Sequence, residues 1–358
     1  MKKIFCFLIQ GLVLISLFIG CTPASPTMAP ITALPSKAPT ELPVQTATQE
    51  PIHLKVNVRN FISYAPLFIA RDEGFFAEQG LNVELIDSAT SSNEMITALI
   101  AREIDVATPT LSVSVFNAIL QGNNLKYAAD KGFLDPDNCT TDAFVASKSI
   151  LASENLTDLS SIKGKNVVIL SPAGTVEYSL DILLAQNGLT QNDIQLSNIS
   201  DSATRVEGLN NGSIDITLLS EPWITHAQTI GAGEVWVPLS DILPNLSIGT
   251  ITFGASILED KPEAGTRFMI AYLKGVEQFN QGKTDRNIEI IANFTKLSPE
   301  DIKASCWTSF KPDGTMDTES MLAFQDWAIE KGYADGLLEL DQFWTSQFVD
   351  EALEKLNQ

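Results

Sequence analysis

Hydrophobic positions along the chain follow two periods, one typical of short strands and the other typical of helices. Residues 53–58 alternate like a strand, and a helix is expected to begin at Pro66 and to end at Gly74. Residues 81–85 alternate as the next strand, and the same order recurs from residues 166–170 onward. Strand, helix and strand at this spacing predict an α/β fold built from parallel βαβ units.

An internal repeat indicates two similar lobes. Residues 99–107 resemble residues 209–217, and each segment is typical of a helix end, a tight turn and a buried strand. The helices expected after residue 261 have no strands of their own, so they need the sheet of an earlier lobe to pack against. The chain is therefore expected to cross between the lobes near residues 144–145 and again near residues 249–251, and two crossings form a hinge. The expected division is lobe one at residues 52–144 and 249–358, and lobe two at residues 145–248.

The N-terminal segment has the charge order of a secretory signal. Lys2 and Lys3 precede an uncharged apolar run at residues 4–19, which is short for a membrane span. The run leads to Cys21 in a sequence that resembles a bacterial lipobox. Residues 1–20 are therefore expected to be removed and Cys21 to be lipidated. An ordinary signal peptide with an incidental Cys21 is the alternative.

The segment that begins at Cys21 is expected to be a tether. Residues 21–51 are rich in Pro, Thr, Ala and Ser and show no apolar periodicity, so they behave as an extended spacer. The folded part is then expected on the extracytoplasmic face of the cell membrane, held by the lipid anchor. Cys139 and Cys306 would be the remaining cysteines, and either a disulfide or two free thiols is consistent with the sequence.

The charge balance narrows the range of partners. The 358 residues contain 44 acids and 23 bases, which gives a formal net charge of −21. A chain this acidic repels phosphate backbones, so no nucleic-acid partner is expected. His53 and His226 are its only histidines, so no zinc site rich in His and Cys is expected. We expect a monomer without a cofactor.

Polar residues follow several of the expected strands, at the edge where an open parallel sheet binds its ligands. Gly174 would let the backbone approach a ligand closely, and Thr175 could donate a hydrogen bond. Asp130 and Glu221 could accept hydrogen bonds from a ligand, and Trp223 could stack on a planar one. The alternative for each residue is structural, as a helix cap, a solvated carboxylate or a core residue.

Catalytic motifs are not found in the sequence. It has neither a Gly-x-Ser-x-Gly elbow nor a complete phosphate-binding glycine loop, and neither histidine has an evident nucleophile beside it. The chain is therefore expected to be a binding protein and not an enzyme. An exported enzyme on the same fold and a sensor subunit without transport are the alternatives.

Several short motifs resemble the opening of a family of solute-binding proteins. They are residues 64–70 (YAPLFIA), 74–76 (GFF), 80–84 (GLNVE), 104–107 (IDVA) and 221–223 (EPW). The chain thus resembles the solute-binding proteins that serve ABC importers for nitrate, sulfonate, taurine and thiamine-pyrimidine precursors. The resemblance implies a type II periplasmic-binding fold with a small-molecule ligand in a cleft that closes by hinge motion. It also implies an ABC permease and its ATPase as partners.

The same resemblance implies which residues occupy the cleft. These are Asn60, Tyr64, Thr108, Asp130, Gly174, Thr175 and Glu221.

Two classes of ligand remain open. A small oxyanion such as nitrate, taurine or an aliphatic sulfonate would need cations in the cleft, and Arg59, Lys131 and Arg205 are the candidates. A heteroaromatic vitamin or precursor, of the thiamine-pyrimidine or riboflavin class, would need stacking faces and neutral or acidic partners. The residues that suit the heteroaromatic class are Phe61, Tyr64, Phe133, Trp223, Asp130 and Glu221. Because cations are few in this chain, the sequence favours the heteroaromatic class.

Overall fold

The computed structural model describes residues 50–87, 91–153 and 158–358 of the chain. The expected signal peptide, the expected lipidation at Cys21 and nearly all of the expected tether lie outside the described residues. In the described part of the chain, no helix is both long and apolar enough to cross a membrane.

The described residues form ten strands in two five-stranded sheets. The strands are β1 (Ile52–Val58), β2 (Leu81–Asp87), β3 (Val106–Ala107), β4 (Lys126–Asp130), β5 (Asp142–Ser147), β6 (Asn166–Ile169), β7 (Gln195–Asn198), β8 (Ile216–Ser220), β9 (Gly233–Pro238) and β10 (Thr250–Phe253). The first sheet has the strand order β2-β1-β3-β10-β4, and the second has the order β7-β6-β8-β5-β9.

Fourteen α-helices accompany these strands in the described residues. They are α1 (Ala65–Asp72), α2 (Phe75–Glu78), α3 (Ser92–Ile100), α4 (Val113–Leu120), α5 (Lys148–Ser153), α6 (Thr175–Gln186), α7 (Ser202–Asn211), α8 (Trp223–Thr229), α9 (Pro262–Phe279), α10 (Asp285–Thr295), α11 (Pro299–Ala304), α12 (Thr318–Glu330), α13 (Leu340–Phe343) and α14 (Gln347–Leu356). The α/β class expected from the sequence is confirmed.

The sheets are mixed, whereas the sequence predicted parallel βαβ units throughout. Strand β1 pairs with β2 and β3 in parallel, and β6 pairs with β7 and β8 in parallel. Strand β10 is antiparallel to β3 and β4, and β5 is antiparallel to β8 and β9. The reason is the crossing of the chain. A strand that enters a sheet at the edge where the parallel strands end must run in the opposite direction.

The first crossing lies earlier than the sequence indicated. Strand β5 begins at Asp142 and already pairs with the second sheet, so residues 142–144 belong there and not to the first sheet. Strand β10 begins at Thr250 and pairs with β3 and β4 of the first sheet. The complete division of the chain into two lobes stays a prediction.

The internal repeat folds the same way twice, with α3 leading into β3 and α7 leading into β8. Oδ2 of Asp105 accepts a hydrogen bond from the Lys55 backbone N–H at 2.9 Å. Oδ2 of Asp215 accepts the equivalent bond from the Asn166 backbone N–H at 2.8 Å. Each aspartate thus ties the strand that it precedes to a central parallel strand of its own sheet.

Helix α9 packs against α1 and α2 and against the C-terminal helix α14. Gly275 of α9 lies directly against the backbone of α1. A Cβ atom at this position would lie 2.2 Å from the Pro66 carbonyl oxygen. The two helices can therefore approach this closely only while residue 275 has no side chain.

We expect Gly275→Ala to destabilise the protein by about 1–3 kcal/mol, because the backbone of α1 would have to move away from α9. Gly336→Ala is the matched control, since its nearest neighbour would lie at an ordinary 3.5 Å from the new Cβ. Urea unfolding of both variants measures the difference. Equal stabilities would contradict the close approach.

Cys139 and Cys306 form a disulfide, with their Cα atoms 5.7 Å apart. The disulfide alternative left open by the sequence is therefore the one that the structure shows. The Asn138 side-chain amide also donates hydrogen bonds to the Trp307 carbonyl at 3.0 Å and to the Ser309 hydroxyl at 2.9 Å. The segment that connects the two sheets is thus joined covalently and by hydrogen bonds to the region after α11.

Removal of this disulfide should lower the free energy of unfolding by about 2–4 kcal/mol, because a cross-link restricts the unfolded chain. The two cysteines are 167 residues apart, so the closed loop is long. We expect a reductant to lower the melting temperature of the wild type but not that of the Cys139→Ala/Cys306→Ala variant. An unchanged wild-type melting temperature under full reduction would contradict this stabilising role.

Candidate functional site

A cavity lies at the edge where strands from both sheets end. The segments after β1, β3 and β4 line it from the first sheet. The segment after β6, the first turns of α6 and α7, and the end of β8 line it from the second. The lining residues are Arg59, Phe61, Ser63, Tyr64, Thr110, Lys131, Asp142, Leu170, Thr175, Val176, Arg205, Leu218, Ser220, Leu239, Leu246 and Ile248. Ligands of open α/β sheets bind outside this edge.

The cavity is small and its two walls touch each other. Its volume is about 50 Å³, whereas pockets for drug-sized ligands measure roughly 300–1,000 Å³. The Val113 N–H donates to the Ala173 carbonyl at 3.1 Å, and the Ile62 N–H donates to the Glu221 carbonyl at 3.1 Å. The cleft is therefore closed in this structure, and its interior suits a ligand of few atoms.

Arg205, on α7, is the most deeply buried charged residue of the lining, with 1% of its surface exposed. Its guanidinium donates to the Leu218 carbonyl and to the Ser202 hydroxyl, the latter at 2.9 Å. Its Nε–H has no hydrogen-bond partner among the described residues. Burial and, to a smaller extent, the charge of Arg59 lower the pKa of Arg205 to about 9. Both the free donor and the charge would be satisfied by an anion.

Lys131, directly after β4, is a second buried cation. Its Nζ donates to the Ser63 hydroxyl at 3.2 Å and lies 3.7 Å from the centre of the Tyr64 ring. Burial lowers the pKa of Lys131 to about 7, although the charges of Asp130 and Asp142 raise it in part. The protonation of this lysine is therefore finely balanced near neutral pH.

Arg59, directly after β1, is the third buried cation, with 5% of its surface exposed. Its Nη2 donates to the Ser200 carbonyl at 3.3 Å, and its guanidinium carbon lies 5.4 Å from the centre of the Phe61 ring. Burial also lowers the pKa of Arg59. A side chain from the first sheet thus reaches the segment before α7.

Among the lining residues, only Asp142 is acidic. The Ser220 hydroxyl donates a hydrogen bond to its Oδ1. Burial raises the pKa of Asp142, while hydrogen bonds to the carboxylate and the charge of Lys131 lower it. Three cations and one acid leave the lining positive, although the chain carries a net charge of −21. Such a local field attracts an anion.

Two residues implied by the resemblance, Tyr64 and Thr175, line the cavity. Thr108 lies outside the lining and supports it, because its carbonyl accepts a hydrogen bond from the Tyr64 hydroxyl at 2.9 Å. The Thr108 hydroxyl in turn donates to the Asn57 carbonyl at 2.6 Å. The direct ligand contact expected of Thr108 stays a prediction.

Asp130 and Gly174 also lie outside the lining. Oδ2 of Asp130 accepts a hydrogen bond from the Gly132 N–H at 2.9 Å, and burial raises the pKa of Asp130 to about 6. Gly174 precedes the first residue of α6 and forms a backbone bridge with Ser112. Both residues thus shape the neighbouring loops.

Asn60, Glu221 and Trp223 join the two walls and do not line the cavity. The Trp223 indole N–H donates to the Asn60 carbonyl at 3.3 Å. The Glu221 carboxylate accepts from the Cys306 N–H at 3.1 Å and from the Thr225 hydroxyl at 2.8 Å. Burial raises the pKa of Glu221 to about 7. These contacts connect the segments after β1, β8 and α11.

Asp142 was not expected at the site from the sequence. Arg59, Lys131 and Arg205 were expected there only for an oxyanion ligand, and the structure brings these three together. The position of Asp142 could have indicated its role, because it lies just before the crossing expected near residues 144–145. A segment that crosses between the sheets must pass the cleft. The expected stacking residue Phe133 lies outside the lining.

Several known proteins of similar sequence or structure are binding proteins. The riboflavin-binding protein RibY of Chloroflexus aurantiacus is 25% identical over 273 residues, which cover 74% of this chain and 72% of RibY. The ligand-binding component of an ABC-type import system from Staphylococcus aureus, solved with zinc bound, has a TM-score of 0.70 at 15% identity. This match covers 84% of this chain and 99% of that one.

A further solved structure is the periplasmic nitrate-binding protein NrtA from Synechocystis PCC 6803, with a TM-score of 0.70 at 17% identity. It covers 86% of this chain and 89% of that one. These matches confirm the periplasmic-binding fold. The sequence pattern that defines the NMT1-like family matches residues 47–293, which is more than half of the chain, and the protein therefore belongs to the NMT1-like family.

Proposed function

We propose that this protein is the extracytoplasmic solute-binding component of an ABC import system and that its ligand is a small oxyanion. The main support is the burial of Arg59, Lys131 and Arg205 around one small cavity. Buried charge is unfavourable unless opposite charge or hydrogen bonds compensate it. Asp142 in the lining and Asp130 beside Lys131 supply negative charge, and a bound anion would supply more.

The heteroaromatic ligand favoured by the sequence has less support. Its expected partners Asp130, Glu221 and Trp223 lie outside the lining, and a flavin would need a much wider cavity. The similarity to RibY and the rings of Phe61 and Tyr64 in the lining make a riboflavin-class ligand the second candidate. The solved nitrate-binding relative supports the oxyanion class.

An anion in this cavity would contact side chains from both walls. Arg59 follows β1 of the first sheet, and Arg205 lies on α7 beside the second sheet. A ligand that touches both binds the closed arrangement better than an open one, so binding shifts the protein toward closure. No chemical conversion of the ligand is part of this proposal.

The remaining parts of the proposal concern the setting of the protein. We propose a monomer that is anchored by a lipid on Cys21 and held outside the membrane by the tether. Its partners would be an ABC permease and the ATPase of that permease. The names of the binding-protein relatives support the import system and the extracytoplasmic location, and the N-terminal sequence supports the lipid anchor.

Titrations of the purified protein, stripped of carried ligand by unfolding and refolding, test the ligand class. We expect thermal stabilisation by nitrate, hydrogencarbonate or a short alkanesulfonate, and none by riboflavin or a thiamine-pyrimidine precursor. Arg205→Met should weaken anion binding at least about tenfold, because a hydrogen bond to a charged group contributes roughly 1.5–3 kcal/mol. Arg71→Met removes an exposed arginine outside the lining and should leave the affinity unchanged. Stabilisation by riboflavin alone would contradict the oxyanion class.

Anion affinity should fall as the pH rises through about 7, because Lys131 loses its proton in that range. The sign follows from the charge, since the protonated lysine binds an anion better than the neutral amine does. Anion affinity should fall by up to about tenfold per pH unit above the pKa of Lys131. Calorimetry from mildly acidic to alkaline pH measures this dependence. The Lys131→Met variant should bind more weakly at low pH and show a much flatter profile, and a steep profile in that variant would assign the titration to another group.

A further inference from the structure

We infer that the ligand is an oxyanion that also carries a hydrogen-bond donor, either a hydroxyl or an amino group, and that Asp142 selects for this donor. The inference rests on the proposed oxyanion ligand and narrows it. It comes from two residues that line the same cavity, each with a buried polar atom that has no hydrogen-bond partner within residues 50–87, 91–153 and 158–358.

The unpartnered acceptor belongs to Asp142, the first residue of β5, with 6% of its surface exposed. Its Oδ1 accepts the hydrogen bond of Ser220, and its Oδ2 has no hydrogen-bond partner among the described residues. Buried polar atoms are nearly always satisfied in folded proteins, so an unsatisfied one at a binding site needs an explanation. A hydrogen-bond donor on a bound ligand is one such explanation.

The unpartnered donor is the Nε–H of Arg205. Arg205 and Asp142 both line the cavity, and both are buried. An oxyanion alone would satisfy the arginine and leave the carboxylate facing further negative charge. A molecule with an anionic oxygen and a separate O–H or N–H would satisfy both residues at once.

Repulsion makes this arrangement selective. A carboxylate accepts hydrogen bonds but does not donate them, so it opposes the lone pairs of a fully deprotonated anion. Burial strengthens the effect because little water is present to screen it. The Ser220 hydroxyl and the Lys131 charge favour the ionised form of Asp142 against the effect of burial. The site should therefore reject anions that lack a donor more strongly than their size and charge would predict.

Two matched pairs of anions test the inference. Nitrate and hydrogencarbonate are both planar and singly charged, but only hydrogencarbonate has an O–H. Ethanesulfonate and 2-hydroxyethanesulfonate differ by one hydroxyl group. In calorimetric titrations at neutral pH, the wild type should prefer the donor-bearing member of at least one pair by about tenfold or more.

Asp142→Asn should abolish or reverse this preference, because its amide can donate to the anion. Asp130→Asn is the matched control, since it removes a buried acid next to Lys131 that lies outside the lining. The control should change the affinities for both members of a pair alike and retain the preference between them.

The outcomes separate the two proposals. Anion binding without a preference in the wild type would overturn the role of Asp142 and leave the oxyanion ligand in place. An unchanged preference in a folded Asp142→Asn variant would do the same. Absence of all anion binding in the wild type would overturn both proposals. If Asp142→Asn does not fold, the wild-type preference alone decides.

Discussion

Buried positive charge is the constraint on which the arrangement around the cavity depends. Arg59, Lys131 and Arg205 are almost inaccessible to water, and the loss of hydration is unfavourable unless other groups replace it. Carbonyl and hydroxyl oxygens of the protein replace part of this hydration. Carboxylates replace a further part, namely Asp130 and Asp142 at Lys131 and Asp201 at Arg59 and Arg205. The three cations still leave a positive field inside the closed cavity, and this field is strong because the dielectric constant there is low.

The mixed topology of the sheets brings these charges together. Parallel strands end at the cleft, so they contribute residues that follow their carboxyl ends, such as Arg59 after β1 and Lys131 after β4. The crossing strands run the other way and begin at the cleft. They therefore contribute residues at their amino ends, such as Asp142 at the start of β5 and Ile248 shortly before β10. The antiparallel strands thus bring an acid and apolar side chains to an edge otherwise lined by residues after parallel strands.

Much of the fold could be predicted because the buried strands and helices carry clear apolar periods. The short strand β7 could not, since three of its four residues are exposed and its sequence shows no apolar alternation. The internal repeat was a stronger guide than local propensity. Arg102 adopts a left-handed conformation with φ of 58°, at the repeat position where Gly212 has φ of 78°. Local residue preference would not have predicted that turn at Arg102, whereas the comparison of the two repeats does.

The position of the candidate site, at the edge where the strands end, was predictable from the sequence. The side chains that line the cavity were not. Strand order locates the loops that meet at the cleft, yet neighbouring residues of a loop point in different directions. Arg59 lines the cavity, whereas the carbonyl of Asn60 binds Trp223 across the closed walls. For a related reason, the sequence favoured a heteroaromatic ligand, whereas the lining of the cavity favours an oxyanion. Few cations in the whole chain suggested a weak anion site, but electrostatic strength depends on where charges lie and how far they are desolvated. Three buried cations in one small cavity exert a field that a count over the sequence cannot show.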